Sequence, residues 1–351
     1  MILEDVLIVD PIDGEYVGSI EFDDKIHKVR KSNKNSYKSI VMPAFVDPHI
    51  HGIRGIDTMT ASYDDFLKFK EYEALEGVWY FLPTTVTSPI EKLKDINLPG
   101  GFKLHLEGPF ISEQRKGAHN EKYIITPPKD LTEIQKLILP EKIELITAAP
   151  ENDNFFNFAK DCLNHNIKIS LGHSNANFQV AKKAFESGFK RITHFPNALS
   201  PLHHRDLNMV GAGLYLDFTV EMIVDGIHSS PEFVDFVFKI KGSDKIILVT
   251  DSISATGLKD GDYMLGDLPV KVRGGKAQLK DGTIAGSTLR FSQAVKNFHR
   301  FTKCTLKELA KVSSYNACKD LGIGGGRLLE GYPARFVELD GDLNIKKTWN
   351  F

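Results

Sequence analysis

The sequence predicts an α/β protein: a (β/α)8 TIM-like barrel carrying a small β-sandwich domain built from both chain termini. Three observations lead there. Short runs rich in Val, Ile, Leu and Phe recur eight times between Ser39 and Asp251, which is how the buried parallel strands of an α/β protein read. Several of these runs are followed by helical periodicity, as a barrel requires. Strand and turn chemistry returns at both ends of the 351-residue chain.

The elements follow in order. Two short β-like runs, around Val6 to Val9 and Gly18 to Phe22, are joined by the turn-rich D-P-I-D-G-E. The eight barrel runs end near Pro48, Thr85, Leu106, Ala148, Leu171, Thr193, Val224 and Thr250. The clearest intervening helices are Ser62 to Glu76, with Ser62 as N-cap and Gly77 just past the end, and Ala176 to Ser187, closed by Gly188. After Thr193 the stretch F-P-N-A-L-S-P-L-H-H-R-D has no helical period and reads as a substrate loop at the C-terminal face of the barrel. Tyr263 to Ile284 alternates between G-G-K and D-G-T turns, which predicts one or two hairpins. Helical pattern resumes from Leu289 to Leu321, and the tail returns to strand chemistry that rejoins the N-terminal strands. Gly324 to Gly326 lack the G-x-G-x-x-G spacing and a leading strand, so they read as a plain turn. The expected division is residues 1–42 plus 326–351 for the small β domain and 43–325 for the catalytic barrel.

Composition narrows the function classes. A chain with 42% hydrophobic and 26% charged residues and a net charge of -2 is an ordinary globular protein with no electrostatic footprint for nucleic acid or a membrane surface. No stretch approaches the roughly 18 uninterrupted apolar residues of a spanning helix. Three widely spaced cysteines, Cys162, Cys304 and Cys318, fit a reducing compartment and read as buried. Acids within the first five residues, with no basic n-region, disfavour a secretory signal, so a cytoplasmic location is expected.

Chemistry concentrates at the strand ends. His49 and His51 stand in H-I-H-G at the end of the first run, and residues i and i+2 of a strand project from one face, so both imidazoles can reach one ion. Alone that pair is weak, because 12 histidines give a chance H-x-H roughly 0.4 times. Glu107 ends the third run, His173 the fifth, His194 the sixth and Asp251 the eighth, and the active face of a barrel is built from such positions. Imidazoles with a carboxylate form a ligand set suited to Zn²⁺ or Fe²⁺. An ion so held acidifies water and polarises a carbonyl, as hydrolysis of an amide requires. Asp251 is the candidate general base and acid, and His119, in K-G-A-H-N after Glu107, a candidate donor to the carbonyl oxygen.

These motifs resemble the amidohydrolase superfamily, and within it the N-acetylglucosamine-6-phosphate deacetylase family. H-L-E-G-P-F-I, K-G-A-H-N, G-H-S-N-A, T-H-F-P-N-A-L, D-G-I-H, L-V-T-D and A-G-S-T-L stand in the family's order, from about Pro43 to Tyr332. The resemblance implies hydrolysis of the acetamido group of N-acetylglucosamine 6-phosphate to glucosamine 6-phosphate and acetate. It implies that Glu107, His173 and His194 hold the principal metal, with His49 and His51 able to hold a second, so that one or two ions are expected. It assigns Asp251 as acid/base and His119 as the group that polarises the acetyl carbonyl. Asn197 and Ala198, with Arg205 and His228, are implied for the sugar phosphate, the last two acting across a homodimer interface. Arginine suits phosphate through its planar fork of donors. Departures from the family pattern are Ala44 for Gly in P-A-F-V-D, Ser252 for Ala after Asp251, and Arg335 for an acid in G-Y-P-A-R-F-V. The alternatives are another amidohydrolase, such as a cyclic amidase or deaminase, and a non-catalytic metal-binding sugar-phosphate sensor.

Overall fold

The computed structural model describes residues 1–132 and 140–349; residues 133–139, within the expected barrel span, and 350–351, at the end of the terminal span, lie outside the described residues. Eight parallel strands form one sheet in sequential order: Phe45–Ile50, Val78–Thr85, Leu104–Glu107, Ile143–Ala148, Lys168–Leu171, Arg191–Ile192, Thr219–Ile223 and Ile246–Val249. Every expected strand end falls within two residues of the observed one. The first and last strands share no ladder, and a backbone bond just past the last strand, with side-chain bonds, brings them together so that the barrel is nearly closed. The Asp251 N–H donates to His49 O at 2.9 Å, and Thr250 donates to the fully buried Asp47 carboxylate through its N–H (3.2 Å) and hydroxyl (2.5 Å). The last strand, Ile-Ile-Leu-Val, is buried at all four positions, as a strand covered on both faces must be.

The helices follow their local signals. Tyr63–Leu75 starts at Ser62, whose side chain accepts from the Asp65 N–H while Asp65 returns a bond to the Ser62 N–H, a capping box. Phe178–Glu186 starts at Asn177, one residue later than Ala176 suggested. The helical pattern from Leu289 to Leu321 resolves into Phe291–Thr302, Leu306–Ala310, a π-helical turn Lys311–Tyr315 and Asn316–Leu321. The last of these lays Ala317, Cys318 and Leu321 against Val46, Leu82, Leu145 and Ile247, plugging the floor of the barrel. All three cysteines are free and buried.

The expected terminal sandwich takes the form of one six-stranded mixed sheet, in the order Ile345–Trp349, Phe336–Leu339, Ile40–Pro43, Ile2–Asp10, Gly14–Phe22, Ile26–Lys31. Alternation puts Val6, Ile8, Ile20 and Phe22 on one face, where they pack with Leu328, Ala334 and Phe336. Ile26–Lys31, I-H-K-V-R-K, has no clear apolar alternation; it is the edge strand, where basic residues discourage further pairing. Arg327 joins the two ends of the chain, donating from Nε to both oxygens of the buried Asp10 at 3.0 Å. Ala44 is the crossing point between this sheet and the barrel, and the Ser314 hydroxyl donates to its carbonyl at 2.6 Å. Arg335, the departure from an acid, stacks its guanidinium 4.1 Å from the centroid of the Trp79 ring.

The stretch expected to form hairpins is a three-stranded antiparallel sheet, Gly261–Leu265, Leu268–Arg273 and Lys276–Gln278. Its Leu265, Val270, Val272 and Ala277 pack on Val86, Ala118, Ile253 and Ala285, so the sheet leans over the barrel mouth. Among the described residues no helix is long and apolar enough to cross a membrane.

Candidate metal centre

Six strand-end side chains converge at the mouth. Glu107, His173 and His194 offer ligand atoms within 4.8 Å of one another, and so do His49, His51 and Asp251; all six residues are buried. Glu107 joins the two groups. Its Oε1 lies 3.0 Å from His194 Nε2, 3.3 Å from His173 Nε2 and 3.4 Å from His49 Nε2, and its Oε2 lies 3.2 Å from His51 Nε2. Asp251 Oδ1 stands 3.1 Å from His51 Nε2 and 3.4 Å from His49 Nε2.

Backbone strain accompanies the convergence. His173, His194 and Asp251 have φ of 46°, 31° and 50°, left-handed values that cost a residue with a Cβ about 1–3 kcal/mol each. In each case the chain turns sharply out of the strand and swings the side chain inward. Gly117, of K-G-A-H-N, also has positive φ (+54°), and a Cβ there would sit 3.2 Å from His173 Cε1. Glycine lets that loop close over the imidazole.

The outer ring nitrogens sort the histidines by role. A carbonyl oxygen only accepts, so the nitrogen facing it must donate, and in a neutral imidazole the other nitrogen then carries the lone pair. His173 Nδ1 faces Arg115 O at 2.9 Å and His51 Nδ1 faces Thr84 O at 3.1 Å. His49 Nδ1 meets the Glu221 carboxylate at 3.2 Å. In the neutral form that metal ligation requires, all three would aim an Nε2 lone pair into the cluster, the arrangement of metal-ligating histidines. His173 Nε2 and His194 Nε2 approach to 2.9 Å, and buried His49 Nε2 has no aligned hydrogen bond despite the two carboxylates at 3.4 Å. Converging acceptors of this kind fit a divalent cation. His194 differs, since its buried Nδ1 has no partner among the described residues.

His119 has the opposite tautomer. The Thr87 backbone N–H donates to its Nδ1 at 3.2 Å, so Nε2 carries the hydrogen and points it at Glu107 Oε2, 3.3 Å away. Burial, then the neighbouring His173, push its pKa down to about 4, which keeps the ring neutral. Nearby His105 is engaged on both nitrogens by hydroxyls, Thr84 Oγ1 at 3.4 Å and Thr147 Oγ1 at 2.7 Å, and is no ligand. Burial alone would raise the carboxyl of Glu107, but the surrounding imidazoles, His49 first and then His119, His173 and His194, outweigh it and hold the group well below its usual range. Asp251 is lowered in the same way, burial being outweighed by His49 and His51.

A cavity of about 280 Å³ opens above the cluster, lined by His51, Glu107, His119, His173, His194 and Asp251 and walled by Asn197, Ala198 and His228. Asn197 donates to His194 O at 3.0 Å, and Ala198 has φ 51°. His228 is set by its own motif, D-G-I-H. The Asp225 carboxylate accepts from the Ile227 and His228 N–H groups at 2.8 Å each and meets His228 Nδ1 at 2.7 Å. Two expected residues do not line this cavity: His49 is fully buried within the cluster below it, and Arg205 is exposed on the irregular segment, with Nη1 2.9 Å from His204 Nε2. No lysine or arginine is among the described residues lining the cavity. Sequence reasoning missed Glu221, Thr84, Thr87 and Arg191, the partners beneath the cluster. The readable signal was Glu221 itself, an acid inside the apolar run T-V-E-M-I-V.

Comparison with known proteins agrees with this geometry. Residues 40–351 match the model of the amidohydrolase family. N-acetylglucosamine-6-phosphate deacetylase of Lysinibacillus sphaericus is 37% identical over 322 residues, covering 88% of this chain and 83% of the relative. The crystal structure of N-acetylglucosamine-6-phosphate deacetylase from Thermotoga maritima superposes with a TM-score of 0.93 at 48% identity, covering 99% of this chain and 98% of that one. A Mycobacterium smegmatis N-acetyl-D-glucosamine-6-phosphate deacetylase mutant, D267A, solved in complex with N-acetyl-D-glucosamine 6-phosphate, superposes at 0.92 with 26% identity, covering 99% and 97% of the chains.

Proposed function

The chain belongs to the amidohydrolase family and, within it, to the N-acetylglucosamine-6-phosphate deacetylases, and from that premise we propose how its own residues cleave the acetamido bond of N-acetylglucosamine 6-phosphate to give glucosamine 6-phosphate and acetate. The observation that carries the reading is the bridging position of Glu107. One carboxylate touches four inward-facing imidazoles and the His119 donor, at the bottom of a cavity sized for a small molecule.

Glu107, His173 and His194 would hold one ion, and His49, His51 and Asp251 a second. The nitrogen and oxygen donors, without cysteine, suit Zn²⁺ or Fe²⁺. When bound, the metal supplies the Lewis acidity that acidifies water and polarises the acetyl carbonyl. Asp251 uses Oδ1 toward His49 and His51, and its Oδ2 makes no hydrogen bond among the described residues. Oδ2 is therefore free to take the proton of the attacking water and return it to the leaving amine. His119 exchanges its Glu107 contact for the carbonyl oxygen, donating its Nε2 hydrogen as charge develops there; the ring is neutral and its tautomer is held by the Thr87 N–H. The backbone at Asn197 and Ala198, with His228 on the facing wall, would orient the sugar phosphate.

A phosphate dianion meeting a wall without lysine or arginine among the described residues lacks a counter-charge. We take this as support for a homodimer in which exposed Arg205 reaches the partner's cavity. We assign the cytoplasm, from the three free buried cysteines. Residues 43–325 serve as the catalytic unit, since all the site residues lie between His49 and Asp251, with 1–42 and 326–351 as support. The test is acetate release from N-acetylglucosamine 6-phosphate, its unphosphorylated sugar, N-acetylgalactosamine 6-phosphate, a hydantoin and a nucleobase. A strong preference for the phosphorylated acetamido sugars is expected. Equal turnover without phosphate would defeat the phosphate-binding assignment, and turnover of only the cyclic amide or nucleobase would defeat the deacetylase mechanism.

A further inference from the structure

The barrel interior beneath the metal cluster contains an arginine that none of these steps uses. Arg191, 2% exposed, opens the sixth strand. Its Nε donates to Glu221 Oε1 at 2.7 Å, its Nη2 lies 2.6 Å from the same oxygen as an ion pair without hydrogen-bond alignment, and its Nη1 donates to Asp320 Oδ2 at 2.6 Å. The other Glu221 oxygen, Oε2, accepts from the His194 backbone N–H and faces His49 Nδ1, each at 3.2 Å. Asp320 sits on Asn316–Leu321, the helix that plugs the barrel floor, and its side chain is 26% exposed. A line of charged contacts therefore runs from the floor helix through the interior to one metal-binding imidazole.

Every group facing Glu221 is a donor, and they approach from two sides, so its carboxylate plane has one orientation that serves them all. That plane aligns the His49 ring. With Nδ1–H committed to Glu221, the Nε2 lone pair must face Glu107 and Asp251. Buried ion pairs add little net stability over apolar packing, whereas removing the outer partner of a ligating histidine costs roughly 10–100-fold in metal affinity.

We propose that Glu221, held by Arg191 and through it by Asp320, is a positioning residue that sets the ring orientation and tautomer of His49, and so the affinity of the His49, His51, Asp251 site. The Glu107, His173, His194 site depends on it far less, because Glu221 reaches His194 only through the backbone N–H. This inference rests on the reading above that each triad takes its own ion.

The test is a Zn²⁺ titration of chelator-stripped protein against a competing chelator, with bound metal counted by mass spectrometry, for wild type, Glu221→Gln and Asp320→Asn. Expected are two ions in wild type. Glu221→Gln should weaken one ion by roughly 10–100-fold and leave the other at wild-type affinity; Asp320→Asn should show a smaller loss of the same ion. Should Glu221→Gln fail to fold, Asp320→Asn, at a partly exposed side chain, decides alone. Two ions of unchanged affinity in the folded variants overturn this inference only, as does equal weakening of both ions, the mark of a merely structural role. A single ion in wild type overturns the two-ion reading and this inference with it.

Discussion

The two metal triads use the same donors, two imidazoles and a carboxylate, yet are built in opposite ways. His49 lies in the first barrel strand and His51 one residue past its end, at i and i+2, and each has its outer nitrogen engaged, by Glu221 and by the Thr84 carbonyl. Glu107, His173 and His194 come from three strands, two of them in left-handed backbone, and His194 Nδ1 has no partner among the described residues. The His49, His51 pair is preorganised by local geometry at a strand end, whereas His173, His194 and also Asp251 depend on strained turns that the barrel holds in place. Orientation can thus be supplied either by local periodicity or by tertiary constraint, and Glu107 ties the two solutions together.

Removing that tie should have the largest effect. Glu107→Ala takes a ligand from one site and the bridge from the other, so bound metal should fall at both and acetate release should drop to the level of the metal-free protein; retention of one full-affinity ion with activity would break the pairing of the triads. Next, Asp251→Asn should lower kcat by about 10²–10⁴-fold, while the ion at Glu107, His173 and His194 stays bound. Loss of that ion in metal analysis would mean that the triads are not separable. His119→Ala removes a donor and no ligand, so kcat should fall by about 10²–10³-fold with metal content unchanged. Arg205→Ala touches neither triad. If it serves a partner's phosphate, KM for the phosphorylated substrate should rise by roughly 10–100-fold, the equivalent of one charged hydrogen bond, with kcat preserved. The smallest effect belongs to the far end of the molecule: Ser62→Ala breaks the capping box of Tyr63–Leu75 and should lower unfolding stability by about 1 kcal/mol in denaturant titrations, without change in metal affinity.

Much of the scaffold was legible because its signals are local. Strand ends are marked by where apolar runs stop, and helix starts by caps such as Ser62 that act within three residues. The convergent side chains were legible because barrel chemistry gathers where strands end, so Glu107, His173, His194 and Asp251 could be singled out one strand at a time. Less was readable where a residue's role depends on a distant partner. Glu221 and Arg191 are an acid and a base within apolar strands, and only the curvature of the nearly closed sheet brings Asp320, from the floor helix, onto Arg191. The terminal segments read as a sandwich, and their single-sheet pairing through Ile40–Pro43 depends on a crossing at Ala44 that no local pattern announces. Arg205 matched its motif, yet the fold leaves it outside its own chain's cavity.

By itself, then, the sequence determined which side chains face the mouth of the barrel, because strand periodicity and strand ends are properties of a few consecutive residues. Tertiary structure alone decided how those side chains divide their work. What a histidine can offer the cavity depends on what meets its outer nitrogen: Thr84 O, Arg115 O and Glu221 leave an acceptor on the inner nitrogen of neutral His51, His173 and His49, while the Thr87 N–H leaves a donor on His119. Those partners come from other strands and loops, and nothing short of closing the sheet puts them within hydrogen-bonding distance.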